Sequence, residues 1–152
     1  MDEFKIDTNV EINVIDVETG EVVETIKKHN LVTTLGKNLV RDLLGMVAGI
    51  TGINYIACGT NVTSVAITDT KLGTEVFRDT FTDQIYTSGN INFRYYLDSS
   101  SANGNTLVEA GLFGDNATGT VNTGTIFAHV IHTAIVKTSS VAVTYSWDIT
   151  IS

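Results

Sequence analysis

Three histidines, one cysteine and seventeen carboxylates are the side chains of this 152-residue chain that could bind a metal, attack a substrate or move a proton. His129 and His132 are the nearest histidine pair. A strand sends residues three apart to opposite faces, so these two could chelate together only across a bulge. Neither has an Asp, Glu or Cys nearby at metal-ligand spacing. The spacing therefore predicts no metal centre and no cofactor. It predicts two histidines in a strand whose Ile and Val neighbours form core.

Cys58 follows an apolar run and precedes Gly59-Thr60. A catalytic thiol needs a lowered pKa and a base brought close by folding, and nothing around Cys58 forms such a signature. A small, buried, inert residue is the expectation. Asp69, Glu75, Asp79 and Asp83 gather around Lys71 and Arg78. Glycoside hydrolysis would require two carboxylates facing each other across a cleft, usually with aromatic rings for the sugar. Tyr95 and Tyr96 alternate across a strand, so one of them at most can face a given ligand. The acidic group is expected to be a solvated, salt-bridged strand edge. The glycines of Gly111-Leu112-Phe113-Gly114 and of residues 119–124 precede no helix and carry no phosphate-binding lysine, so they read as turns. No catalytic residue is assigned.

The elements that would position these residues are mostly strands. Val10, Ile12 and Val14 alternate with Glu11 and Asn13, the two-residue period of a half-buried strand. Glu18 to Glu21 supplies a turn around Gly20, and Val22 to Lys28 returns, so residues 8–29 read as a hairpin. Leu35, Leu39, Val40, Leu43 and Leu44 share one helical face, predicting a helix over 34–44. Thr33 or Thr34 would cap it, Gly45 would end it, and its role would be to plug one side or end. Strands follow at 53–58, 75–86, 90–97, 107–113 and 125–136, with a short helical turn at Lys71 to Gly73 and an exposed turn at Ser99 to Asn105. In 141–151, Val141, Val143, Tyr145, Trp147, Ile149 and Ile151 point one way, which predicts a central strand of fixed register. About eight strands at this spacing predict an all-β, two-sheet β-sandwich or jelly-roll-like single domain spanning 1–152 with one short α-helix. Residues 1–29 form its N-terminal hairpin or arm, positioned to contact neighbours.

A formal charge of −8 with nine dispersed basic residues argues against nucleic acid as a partner, since phosphate binding needs clustered Lys and Arg. No run approaches the ~20 apolar residues of a membrane span. Met1 to Lys5 lacks the basic start and apolar run of a secretory signal, and one cysteine cannot form an intramolecular disulfide. Synthesis and folding in a reducing cytosol are expected. The sequons at Asn61 and Asn116 then read as chance matches in a Thr-rich chain.

Four strings occur in order between residues 22 and 151. The first is His29-Asn30-Leu31-Val32-Thr33, continued by Gly36, Asn38 and Leu39 into the helix. The second is Ile53-Asn54-Tyr55-Ile56-Ala57-Cys58-Gly59-Thr60. The third runs from Thr68-Asp69-Thr70 through Leu72-Gly73 to Glu75-Val76-Phe77-Arg78. The fourth is Val108-Glu109-Ala110-Gly111-Leu112-Phe113, and an alternating terminal strand closes the chain. This series resembles phage tail-fibre, baseplate and related virion proteins. The resemblance implies a non-enzymatic bacteriophage virion structural protein with a β-sandwich fold, commonly a homotrimer. It would be made in the host cytoplasm and located in the virion. Compact size, with no long repeat or coiled-coil shaft, favours capsid decoration over a tail-fibre or baseplate place. The expected partners are other copies of the chain and virion proteins such as the major capsid protein. The alternative is a host-receptor or glycan-binding module using Tyr55, Tyr86, Tyr95 or Tyr96.

Overall fold

The computed structural model describes residues 3–152. In chain order its elements are β1 (Ile6–Asp16), β2 (Val22–His29), β3 (Leu31–Val32), α1 (Thr34–Leu44), β4 (Ile53–Gly59), β5 (Glu75–Thr80), β6 (Asp83–Thr87), β7 (Asn90–Leu97), β8 (Thr106–Gly114), β9 (Thr125–Val136) and β10 (Val141–Ile151). They form two five-stranded antiparallel sheets, one in the order β2-β1-β10-β7-β6 and the other β3-β9-β8-β4-β5. The two-sheet sandwich expected from the alternating apolar residues is the fold observed.

The first sheet follows the period-two rule. β10 is its middle strand, with Val14 opposite Val143, Ile12 opposite Tyr145 and Val10 opposite Trp147 on one flank, and Phe93 opposite Trp147 on the other. These side chains are buried and meet Ile56, Cys58, Ala110, Leu112 and Val130 of the second sheet in one continuous core. The β1–β2 turn forms because Asp16 accepts hydrogen bonds from the amides of Glu18 (2.9 Å) and Thr19 (3.0 Å) while Gly20 takes a φ of +73°.

Helix α1 spans the predicted residues. Thr33 is its cap: the hydroxyl accepts from the Gly36 amide at 2.9 Å and donates to the Ile126 carbonyl at 2.7 Å, so one side chain starts the helix and ties it to β9. Gly36 has to be glycine, because a Cβ there would run into the Phe127 backbone. Gly45 ends the helix in a right-handed conformation, and the left-handed turn falls instead to Met46 at φ 53°.

Three local expectations need correction. The stretch 75–86 is two strands: β5 lies in the second sheet and β6 in the first, with Phe81 and Thr82 carrying the chain across. Leu31-Val32 forms an extra short edge strand against β9, so with that split the strands among the described residues number ten rather than about eight. Lys71 to Gly73 is not a helical turn but part of an irregular loop from Thr60 to Thr74. Its path is set by charged side chains on the sheet beneath it.

Candidate functional site

β8 shows why this sheet differs from the first: from Leu107 to Gly114 every residue is buried. Ala110 and Leu112 face the sandwich core, and Glu109, Gly111 and Phe113 alternate to the other face. That outer face is roofed by the 60–74 loop, by Leu35 of α1 and by Ala117 of the 115–124 loop. Leu72 seals it against Ala57, Phe113 and Ile126, and is itself 1% exposed.

Glu109, 0% exposed, stands beneath the loop. One of its oxygens accepts from the amides of Thr74 (2.7 Å) and Asn61 (3.2 Å). The other accepts from the Gly73 amide and from His129 Nε2, both at 2.9 Å. Nδ1 of the same imidazole lies 2.8 Å from Asp69 Oδ2, which also accepts from the Ala66 amide at 2.8 Å. Burial alone would push the Glu109 carboxyl up, but His129 and the three amides override it and hold it below the usual carboxylate range. Burial alone would push His129 down, but the two carboxylates override it and hold it above its usual range. The arrangement is an imidazolium donating from both nitrogens to two carboxylates. Gly59 completes it, since a Cβ there would collide with the Thr74 carbonyl and the Glu109 side chain.

Chemically, this cluster is a clamp. A histidine acting as general base needs one ring nitrogen open toward a nucleophile, and here a carboxylate takes each. Among the described residues, no group of three His, Cys, Asp or Glu side chains has the geometry to hold a metal ion.

A second buried charge lies on the same face. Arg78 Nε and Nη2 donate to Glu75 Oε2 (2.8 Å) and Oε1 (2.7 Å), with both side chains at most 1% exposed. Arg78 Nη1 also donates to the Thr118 and Thr123 carbonyls, at 3.1 and 2.8 Å, and the guanidinium sits 4.7 Å from the Phe113 ring centre. The expected salt-bridged, solvated edge is therefore solvated at Asp79 and Asp83, which are exposed and have no ion pair among the described residues, and it fails for Asp69, Glu75 and Arg78. A buried residue on the outer face of a roofed strand must either be apolar or be fully paired.

The remaining candidates are separate. His132 donates through Nδ1 to the Thr133 carbonyl at 2.8 Å and shares no ligand with His129. Cys58 is 3% exposed, and burial pushes its thiol up to about 12, the reverse of an activated nucleophile. Tyr95 is buried, whereas Tyr96 and Tyr86 are 48% and 68% exposed. Sequence spacing could not find the clamp, because Asp69 and Glu109 reach His129 from 60 and 20 residues away. One signal was present: Glu109 is the one titratable side chain of β8, in an otherwise apolar run, and a lone titratable group in such a run needs a partner.

Exposed apolar surface gathers at one end of the sandwich. Where α1 crosses the opening between the sheets, Phe4, Ile6, Val32, Val40 and Leu44 line a groove of about 590 Å³ whose remaining walls are Lys5, Lys37 and Arg41. A second hollow of about 380 Å³ continues past Leu44 over Ile53, Tyr86 and Ile151. Leu44, Met46 and Val47, at the end of α1, are 74%, 88% and 50% exposed. No helix of the described residues is long and apolar enough to cross a membrane. Compared with protein-family models, with curated proteins and with solved structures, the chain matches none.

Proposed function

We propose that this chain is a non-enzymatic structural component of a bacteriophage particle, and that it decorates the capsid shell by binding across subunit junctions. One observation carries the assembly part: Glu109, His129 and Cys58 are spent inside the protein, while large apolar side chains stand exposed around α1. The phage part rests on the ordered strings. Three of them supply the residues that hold the roofed face together: Gly59, then Asp69, Leu72, Gly73, Glu75 and Arg78, then Glu109 and Phe113. These three strings thus read as one folding unit rather than three coincidences. The partners are further copies of the chain, as a homotrimer, and the major capsid protein, with the virion as location. Neither nucleic acid nor membrane is a partner in this reading.

The test is calorimetry of mature shells with and without the purified protein. Binding with a raised temperature of shell disruption supports decoration; no binding and unchanged shell stability overturn it. A tail-fibre or baseplate component that reads host glycans is the second reading, favoured by the exposed rings of Tyr86 and Tyr96. It predicts glycan-array binding that is lost in Tyr86→Ala.

A further inference from the structure

The groove beside α1 combines five apolar residues with three cations and no lining carboxylate, in a chain of net charge −8. Arg41 is paired with Asp42 at 2.6 Å, whereas Lys5 and Lys37 have no ion pair among the described residues. This surface suits an apolar segment that also carries carboxylates. The chain displays such a segment itself, at the β1–β2 hairpin tip. Val17, Val22 and Val23 are 42%, 54% and 62% exposed there, and Glu18, Glu21 and Glu24 are exposed among them. The two features cannot meet within one molecule. The groove lies at the Ile6 end of β1 and the tip beyond Asp16, so the eleven residues of β1 hold them roughly 33 Å apart.

We propose that the hairpin tip of one copy docks into the α1 groove of the next, making a head-to-tail contact between copies of this chain. Such a contact uses two different patches, so it forms a ring where the rotation closes and a filament where it does not. A hairpin tip is a small epitope, below the ~1,200 Å² of a stable standard interface, so the contact is weak between free molecules and gains strength when copies are held side by side. The proposal goes beyond shell decoration and does not depend on it.

Sedimentation of the full chain at concentrations rising to about 1 mM tests it. Association that weakens at least tenfold in Lys37→Glu and in Glu21→Lys, and returns when both changes are combined, is the expected result. A Val23→Cys, Leu44→Cys double variant should give a ladder of multimers on mild oxidation, whereas each single variant stops at dimers; Cys58 is buried and stays out of the reaction. A wild type that remains monomeric throughout, charge reversals without effect, or no ladder would each overturn the proposal. So would a monomer whose Leu44 becomes protected only on shells, since the groove would then belong to the shell. Shell binding is measured separately, so failure of the head-to-tail contact and failure of decoration give different results.

Discussion

The two sheets share a core but treat their outer faces in opposite ways. On the first sheet that face is open to solvent. Asn90 donates to Thr150 at 3.0 Å, Thr25 donates to Asn13 at 2.7 Å, and Lys27 lies 3.7 Å from Glu11 across two strands. On the second sheet the same face is roofed, and its ionic groups are buried and fully paired. Both faces carry carboxylate–cation pairs. Water supports the first kind, and only geometry supports the second.

Removing Glu109 gives the largest expected effect. Glu109→Ala leaves three backbone amides and the buried His129 ring without their shared acceptor, at a cost of about 3–5 kcal/mol in urea unfolding. Glu109→Gln should cost less, because its amide oxygen can still accept some of those bonds. An unchanged midpoint for Glu109→Ala would mean that the roof does not depend on the clamp. Arg78→Ala comes next, at about 3 kcal/mol, because Glu75 keeps the Asn122 amide at 3.2 Å as a residual donor.

What could be read from the sequence divides along the same line. β10 is legible residue by residue, because one face meets core and the other meets water, and alternation records that difference. α1 is legible for the same reason, and its cap because Thr33 stands at the start of the apolar period. β8 is legible as a strand at 107–113, but which face each side chain takes is not, because a strand buried on both faces loses its alternation. The split of 75–86 escaped because both halves are strand-forming, and nothing in Phe81-Thr82 marks a change of sheet. The clamp escaped because its three members come from a loop and two strands that only the completed sandwich brings together.

The clamp also predicts a pH signature that the open face lacks. His129 is raised in the folded state, so its contribution is complete below about 6.5 and is lost as pH rises through the folded pKa. Glu109 is lowered, so its contribution is complete above about 4.5 and is lost as pH falls through the folded pKa. Together they stabilise most between these values. His132 acts in the opposite sense: burial lowers it, which costs stability as pH falls below about 6.5. The measurement is therefore the difference in unfolding free energy between wild type and His129→Gln across pH 4 to 9, in which His132 cancels. A difference that stays flat above pH 6.5 would show that the imidazole is neutral between its carboxylates.

The smallest effect belongs to the open face and completes the contrast. Lys27 and Glu11 form the counterpart of Arg78 and Glu75, but their side chains are 76% and 45% exposed. Lys27→Ala loses a screened Coulomb attraction but also the entropy cost of ordering a long side chain, so it should cost no more than about 0.5 kcal/mol. That small loss should shrink further in 1 M salt, where the screening length falls to about 3 Å. Arg78→Ala measured alongside should keep its full cost in the same salt, because no counterion reaches a guanidinium 1% exposed. Equal losses for the two variants would mean that the roof over the second sheet opens readily enough to admit water.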